Sequence, residues 1–297
     1  MALVYMLKSS IVNVVFLIMT FLLFGFVFSI VEKNNNKLIY SSFGRSGIII
    51  TGAIGTIVHE LSHLIMCLIF RHKIKDVRLF RPIESEYDGV LGYVSHTYKK
   101  SSIYQNLGNF FIGIAPLIGG TLSIILIFRL FLPDSFDAIT NIVSIKTYII
   151  SLEDLDFVGF INSILKDIYL FFTYVFQGNN IISLRFVIFV FLMYSISSHM
   201  SLSYSDFKNS ISGLGVLIGI VFIGSIFSFL IGAGESRVVD MIVEYNIIVI
   251  LLMMLGLFFS MITLFISFIL SVIVGRWYSK YSLKYYIVIK INEKDTK

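Results

Sequence analysis

The chain has 297 residues, of which 57% are hydrophobic and 14% charged, and its formal net charge is +5. A soluble domain carries roughly 25% charged residues, so this composition excludes an ordinary water-soluble globular protein. A single cysteine, Cys67, excludes an internal disulfide and an all-thiolate metal cage, and the basic residues lie in loops beside apolar runs, where they set membrane orientation rather than bind nucleic acid.

The first apolar run, 11–31, is longer than the core of a secretory signal and has no small-residue cleavage site before Glu32, so it reads as a retained anchor. Further runs at 47–70, 108–132, 183–200, 212–233 and 245–275 complete a set of six expected spanning helices. The fold class expected is an all-α polytopic membrane protein carrying a short cytoplasmic β-hairpin. With no repeat and no linker rich in Pro, Gly or Ser, residues 1–297 read as one membrane domain.

The loop after the second run carries Arg71, Lys73, Lys75, Arg78, Arg81, Lys99 and Lys100, and the C-terminal tail is also basic. An excess of Lys and Arg keeps a loop inside. The loop 133–182 has no such excess and is expected outside, so six spans leave both termini in the cytoplasm. Within the inner loop, 77–81 and 90–98 are strand-like and flank a turn-prone Tyr87-Asp-Gly89, which predicts a hairpin. In the outer loop, Ser151-Leu-Glu-Asp154 resembles a capping box and opens a largely apolar stretch to Phe176. An amphipathic helix on the outer membrane surface is expected there.

Inside the second run stands Gly55-Thr-Ile-Val-His59-Glu60-Leu-Ser-His63. On a helix, positions 59 and 63 face the same way one turn apart, so both imidazoles can bind one Zn²⁺ while Glu60 stands beside them as general base. Ionisable groups in an apolar span cost about 2.5 kcal/mol or more each unless partnered, and a cation is a natural partner. Catalytic zinc takes three protein ligands, so a third comes from elsewhere. Asp206 and His199, both in the segment 197–208, are the candidates for that metal ligand, and His96 is a more remote one. Ser62 and Cys67 read as small packing residues and His72 as an interfacial group. The start of the third run, with Asn106, Asn109 and Pro116, is a candidate to pack over the metal, either asparagine steadying a developing oxyanion.

HELSH within a span, a β-rich stretch after it and Gly113-Ile-Ala-Pro-Leu117 in the next span together resemble the site-2 protease family of intramembrane metallopeptidases. The resemblance covers 47–120 and, more loosely, 197–208. It implies zinc held by His59, His63 and a later aspartate, water activation by Glu60, and membrane-protein substrates cleaved near the cytoplasmic face of the lipid bilayer. The family's aspartate sits in an Asn-Pro-Asp-Gly or Leu-Asp-Gly context that this chain lacks, which marks a divergent member. With an Ile-, Asn- and Lys-rich composition, the resemblance points to a bacterial plasma membrane. Two other readings of the His-Glu cluster are an ion relay in a transporter or channel and an inactive binding scaffold.

Overall fold

A computed structural model describes residues 2–142, 157–230, 246, 249–250 and 252–275. It is mostly helical with one small two-stranded sheet. In chain order the elements are α1 (Ala2–Ile69), β1 (Lys73–Arg78), α2 (Ser85–Asp88), β2 (Tyr93–Thr97), α3 (Ile103–Phe131), α4 (Pro133–Ile142), α5 (Phe157–Val175), α6 (Gly178–Ile181), α7 (Leu184–Ser197) and α8 (Tyr204–Leu230), followed by α9 (Leu252–Gly275). Among the described residues, four helical segments are long and apolar enough to cross a membrane: Val14–Ile69, Ile103–Phe131, Tyr204–Gly224 and Leu252–Gly275.

The first two expected spans form one helical element, α1, broken at Gly44 (φ 64°, ψ −157°). That backbone conformation is open to glycine and strained for other residues. The break is sharp. Glu32 Oε2 accepts the backbone N–H of Ser201 at 3.2 Å, while His59 Nδ1 lies 3.0 Å from the carbonyl oxygen of His199. Residues 199 and 201 are within about 7 Å of each other, whereas 32 and 59 in a straight helix would be about 40 Å apart. The two arms of α1 therefore fold back on each other at Gly44.

The remaining elements differ from expectation mainly at their ends. The fourth run, 183–200, yields a helix of only 14 residues, about 21 Å long against a hydrocarbon core of about 30 Å. Ser183 caps its start by accepting the N–H of Phe186, and its last turn unwinds at Ser198. The fifth helix begins at Tyr204 rather than 212, because Ser203 and Asp206 cap it. The helix expected between residues 133 and 182 is present as α5 from Phe157, with Phe171 and Val175 buried and Val158, Ile161, Leu165 and Tyr169 exposed; residues 151–154, the expected capping box, lie outside the described residues.

The hairpin pairs β1 with β2 antiparallel, Val77 opposite Val94, with a bulge between Ile74 and Asp76. Its strands are shifted from the expected 77–81 and 90–98. The turn region is longer, because 85–88 form a helical turn ended by Gly89 in the left-handed conformation (φ 78°). A chain that coils here cannot also pair as strand.

Helix α3 is the centre of the bundle. Phe110, Ile114, Leu117, Thr121, Ile124 and Phe128 recur at helical spacing and are buried. Close approach of the neighbouring helices depends on missing side chains. A Cβ at Gly55 would overlap the Ser195 carbonyl oxygen of α7, and one at Gly113 would overlap Ser210 Oγ and the Asp206 carbonyl oxygen of α8. Small residues let helices pack backbone to backbone where hydrophobic collapse gives no drive. Outward, Phe16, Met19, Leu23 and Phe26 of α1 and Leu122, Leu126 and Leu130 of α3 are exposed. Continuous apolar faces of that extent are too large for water and suit lipid.

Candidate metal centre

His59 and His63 sit one turn apart on the second arm of α1, and Asp206 reaches them from the first turn of α8. His63 Nε2 is 3.2 Å from His59 Nε2 and 3.2 Å from Asp206 Oδ1; His59 Nε2 is 3.7 Å from Asp206 Oδ2. A tetrahedral cation with bonds of about 2.05 Å holds its ligand atoms about 3.3 Å apart. Two imidazoles and a carboxylate at these separations fit zinc.

The rings are oriented from behind. His63 Nδ1 is 2.8 Å from the carbonyl oxygen of Ile112, and His59 Nδ1 faces that of His199. A carbonyl only accepts, so in each ring Nδ1 carries a proton, and Nε2, which faces the Asp206 carboxylate, is the atom left to take either a proton or a cation. Without a cation or proton between them, the two bare Nε2 atoms repel. Such backbone partners fix tautomer and direction in metal-binding histidines.

Both acceptor carbonyls are available for a reason. Pro116 has no N–H, so within α3 it leaves the Ile112 carbonyl, four residues earlier, without its helical partner. His199 follows the last turn of α7, where carbonyls lack intrahelical partners. Asp206 is held equally firmly: its Oδ2 accepts the Ser203 N–H at 2.8 Å and the Ser203 hydroxyl at 2.6 Å. The carboxylate thus caps α8 and reaches the imidazoles at once.

Glu60 is buried, 8% exposed, and with Thr56, His59, Glu32 and Arg45 it lines a cavity of about 560 Å³ beside the hairpin. Gly92 of the hairpin approaches so closely that a Cβ there would lie 2.9 Å from Glu60 Cγ. The His199 side chain does not join the cluster; its ring packs against Gly52, and its contribution is the carbonyl. Asn106 donates to the carbonyls of Lys100 and Ser102 at the start of α3, which occupies it with capping. Asn109 is fully buried, and among the described residues its amide has no hydrogen-bond partner. His96 lies on β2, 3.0 Å from His72 through their Nδ1 atoms and apart from the His59 group.

On the hairpin, the Tyr93 hydroxyl donates to Asp76 Oδ2 at 2.6 Å and, with the Val77 N–H, holds that carboxyl below the usual carboxylate range. Burial lowers the pKa of His72, and burial together with neighbouring His72 pushes His96 down to about 4.

Sequence reasoning missed the roles of Ile112 and Glu32, whereas Ser203-Tyr-Ser-Asp206 is legible as a capping box and forms one. The first was readable in principle, since a helical proline always frees the carbonyl four positions back. No protein-family model matches this chain, and no curated protein or solved structure does either.

Proposed function

We propose that the protein is an intramembrane zinc endopeptidase similar to the site-2 proteases, cleaving peptide bonds of membrane-protein substrates. One observation carries the reading: His59 Nε2, His63 Nε2 and the Asp206 carboxylate converge at tetrahedral ligand spacing, beside a buried carboxylate that opens on a cavity.

Zinc, when bound, supplies Lewis-acid polarisation of the scissile carbonyl and lowers the pKa of a ligand water. The chain's own residues do the rest. Glu60 takes a proton from the attacking water as oxygen adds to the carbonyl carbon, and hands that proton to the amide nitrogen as the carbon–nitrogen bond breaks. The products are a carboxyl group and an amine. Asp206 and the oriented imidazoles hold the donor set rigid, and the surrounding helices limit entry of bulk water.

The membrane arrangement we propose has six spans: the two arms of α1 on either side of Gly44, then α3, α7, α8 and α9. Both termini and the hairpin then lie on the cytoplasmic side, in a bacterial plasma membrane, with α5 on the opposite surface. The folding back of α1 supports counting its arms separately. The test compares purified wild type with His59→Ala and Glu60→Gln for zinc content and for cleavage of a transmembrane reporter peptide. One zinc per chain that His59→Ala removes is expected in wild type, with loss of cleavage alone in Glu60→Gln. A wild type whose zinc content equals that of His59→Ala sinks the proposal.

A further inference from the structure

A second group of metal-ligating side chains stands one helical turn beyond His63 and outside the centre above. Cys67 of α1, His72 of the following turn and His96 of β2 bring a thiol sulfur and two ring nitrogens within 4.8 Å of one another. The backbone is bent to make this meeting. After α1, Arg71 takes the left-handed conformation (φ 55°), one that non-glycine residues adopt at a cost of roughly 1–2 kcal/mol. The Arg71 N–H then bonds the Leu68 carbonyl and the His72 N–H bonds the Cys67 carbonyl at 2.8 Å, a Schellman closure. His72 is thereby folded back over Cys67. Gly108 of α3 makes room, since a Cβ there would press on Phe70 and the His72 ring.

The orientation of His72 is settled by its partner. Its Nε2 lies 2.8 Å from the carbonyl oxygen of Gln105, so Nε2 carries the proton and Nδ1 presents a lone pair. That lone pair faces His96 Nδ1 at 3.0 Å, and the Tyr98 ring stacks on that of His72. Cys67 itself is fully buried. The pattern repeats that of the first centre: a backbone carbonyl fixes the tautomer, and the inner nitrogen looks at other donors.

We propose that Cys67, His72 and His96 form a second cation site for a thiophilic transition metal, Cu⁺ or Zn²⁺, which pins the hairpin to the end of the helix bearing His59 and His63. One thiolate and two imidazoles are the donor set such ions favour. With Cu⁺ the buried group would be neutral, and with Zn²⁺ it would carry one positive charge and leave one coordination position for a fourth ligand. Either ion ties together three segments, α1, β2 and, through the Gln105 carbonyl, α3. It would fix the hairpin, and hence Leu91 and Gly92 at the cavity wall, relative to Glu60.

The test uses the full-length purified protein, stripped of metal and titrated with Co²⁺. The first centre contains no sulfur, so a sulfur-to-cobalt charge-transfer band reports on the second alone. The band is expected in wild type, absent in Cys67→Ser, and shifted in His96→Ala to Co²⁺ concentrations higher by more than the 10–100-fold typical of losing an outer-shell partner. His96 stands on the partly exposed hairpin, so that variant keeps the bundle. Competition with Zn²⁺, and with Cu⁺ under reducing conditions, identifies the ion by which one displaces the band at lower free concentration. A wild type without the band, a band unchanged in His96→Ala, or a band that neither ion displaces overturns the proposal. Loss of the sulfur-free cobalt spectrum with the sulfur band retained would instead overturn the first centre and leave this one standing.

Discussion

His63 Nδ1 lies 2.8 Å from the Ile112 carbonyl oxygen, the one that Pro116 leaves free four residues further along α3. A residue that weakens one helix thus supplies the acceptor that orients an imidazole on another. Pro116→Ala puts an N–H back into α3 and sets it in competition with His63 for that oxygen. The imidazole then loses its fixed tautomer. Zinc affinity is expected to fall about 10–100-fold while thermal stability of the metal-free protein holds or rises. Zinc titration against a competing chelator measures the first, and a melting curve in detergent the second.

Glu60 has a separable role. Glu60→Gln keeps shape and removes the base, so cleavage of a transmembrane reporter is expected to drop by about 10²–10⁴-fold with zinc content unchanged. A variant that loses both metal and activity would place Glu60 among the ligands instead.

Ser203 holds Asp206 through two hydrogen bonds to one carboxylate oxygen. In Ser203→Ala the hydroxyl bond goes and the backbone bond stays. Loss of a helix cap costs about 1 kcal/mol, and the freed carboxylate binds zinc less tightly. Asp206→Ala removes the ligand itself, and elemental analysis should then find one zinc per chain fewer than in wild type, whereas His199→Ala, which keeps the carbonyl, should match wild type.

Gly113 lets α3 approach α8 at the point where Asp206 emerges. Gly113→Ala forces a methyl group into the Asp206 carbonyl oxygen and Ser210, a strain of about 1–3 kcal/mol. A lower melting temperature with weakened zinc binding is the expected pair of effects, because the two helices that carry Ile112 and Asp206 are pushed apart together.

The hairpin should respond to acid through Asp76. Its carboxyl, bonded by Tyr93 and Val77, has a pKa below the usual carboxylate range. The unfolded chain therefore takes up this proton more readily than the folded one. The contribution is present above about pH 4 and is lost as pH falls through the depressed value. Protection factors of the hairpin amides, exchange rates taken relative to the intrinsic rate at each pH, should fall on acidification in wild type, and Asp76→Asn should remove that dependence.

Much of this protein is legible along the chain. Apolar runs of about 20 residues, the four-residue spacing of His59 and His63, and the adjacency of Glu60 are local patterns, and local patterns dictate local structure. The six-run reading differs from the four long apolar helices for an equally local cause: Gly44 breaks a helix without ending it, and the fourth run coils over only 14 residues. The hairpin strands run Lys73–Arg78 and Tyr93–Thr97 rather than 77–81 and 90–98, since 85–88 coil rather than pair.

What the sequence by itself determined is therefore a lipid-facing helical chain with two imidazoles and a carboxylate on one turn of one helix. Only the tertiary structure decided that Asp206 rather than the His199 ring meets those imidazoles, that α1 folds back at Gly44, and that carbonyls of residues 112 and 199 orient the rings. The physical reason is separation along the chain. Contacts between residues 49 and 140 positions apart depend on how helices pack, and that packing turns on glycines whose missing side chains leave no periodic trace.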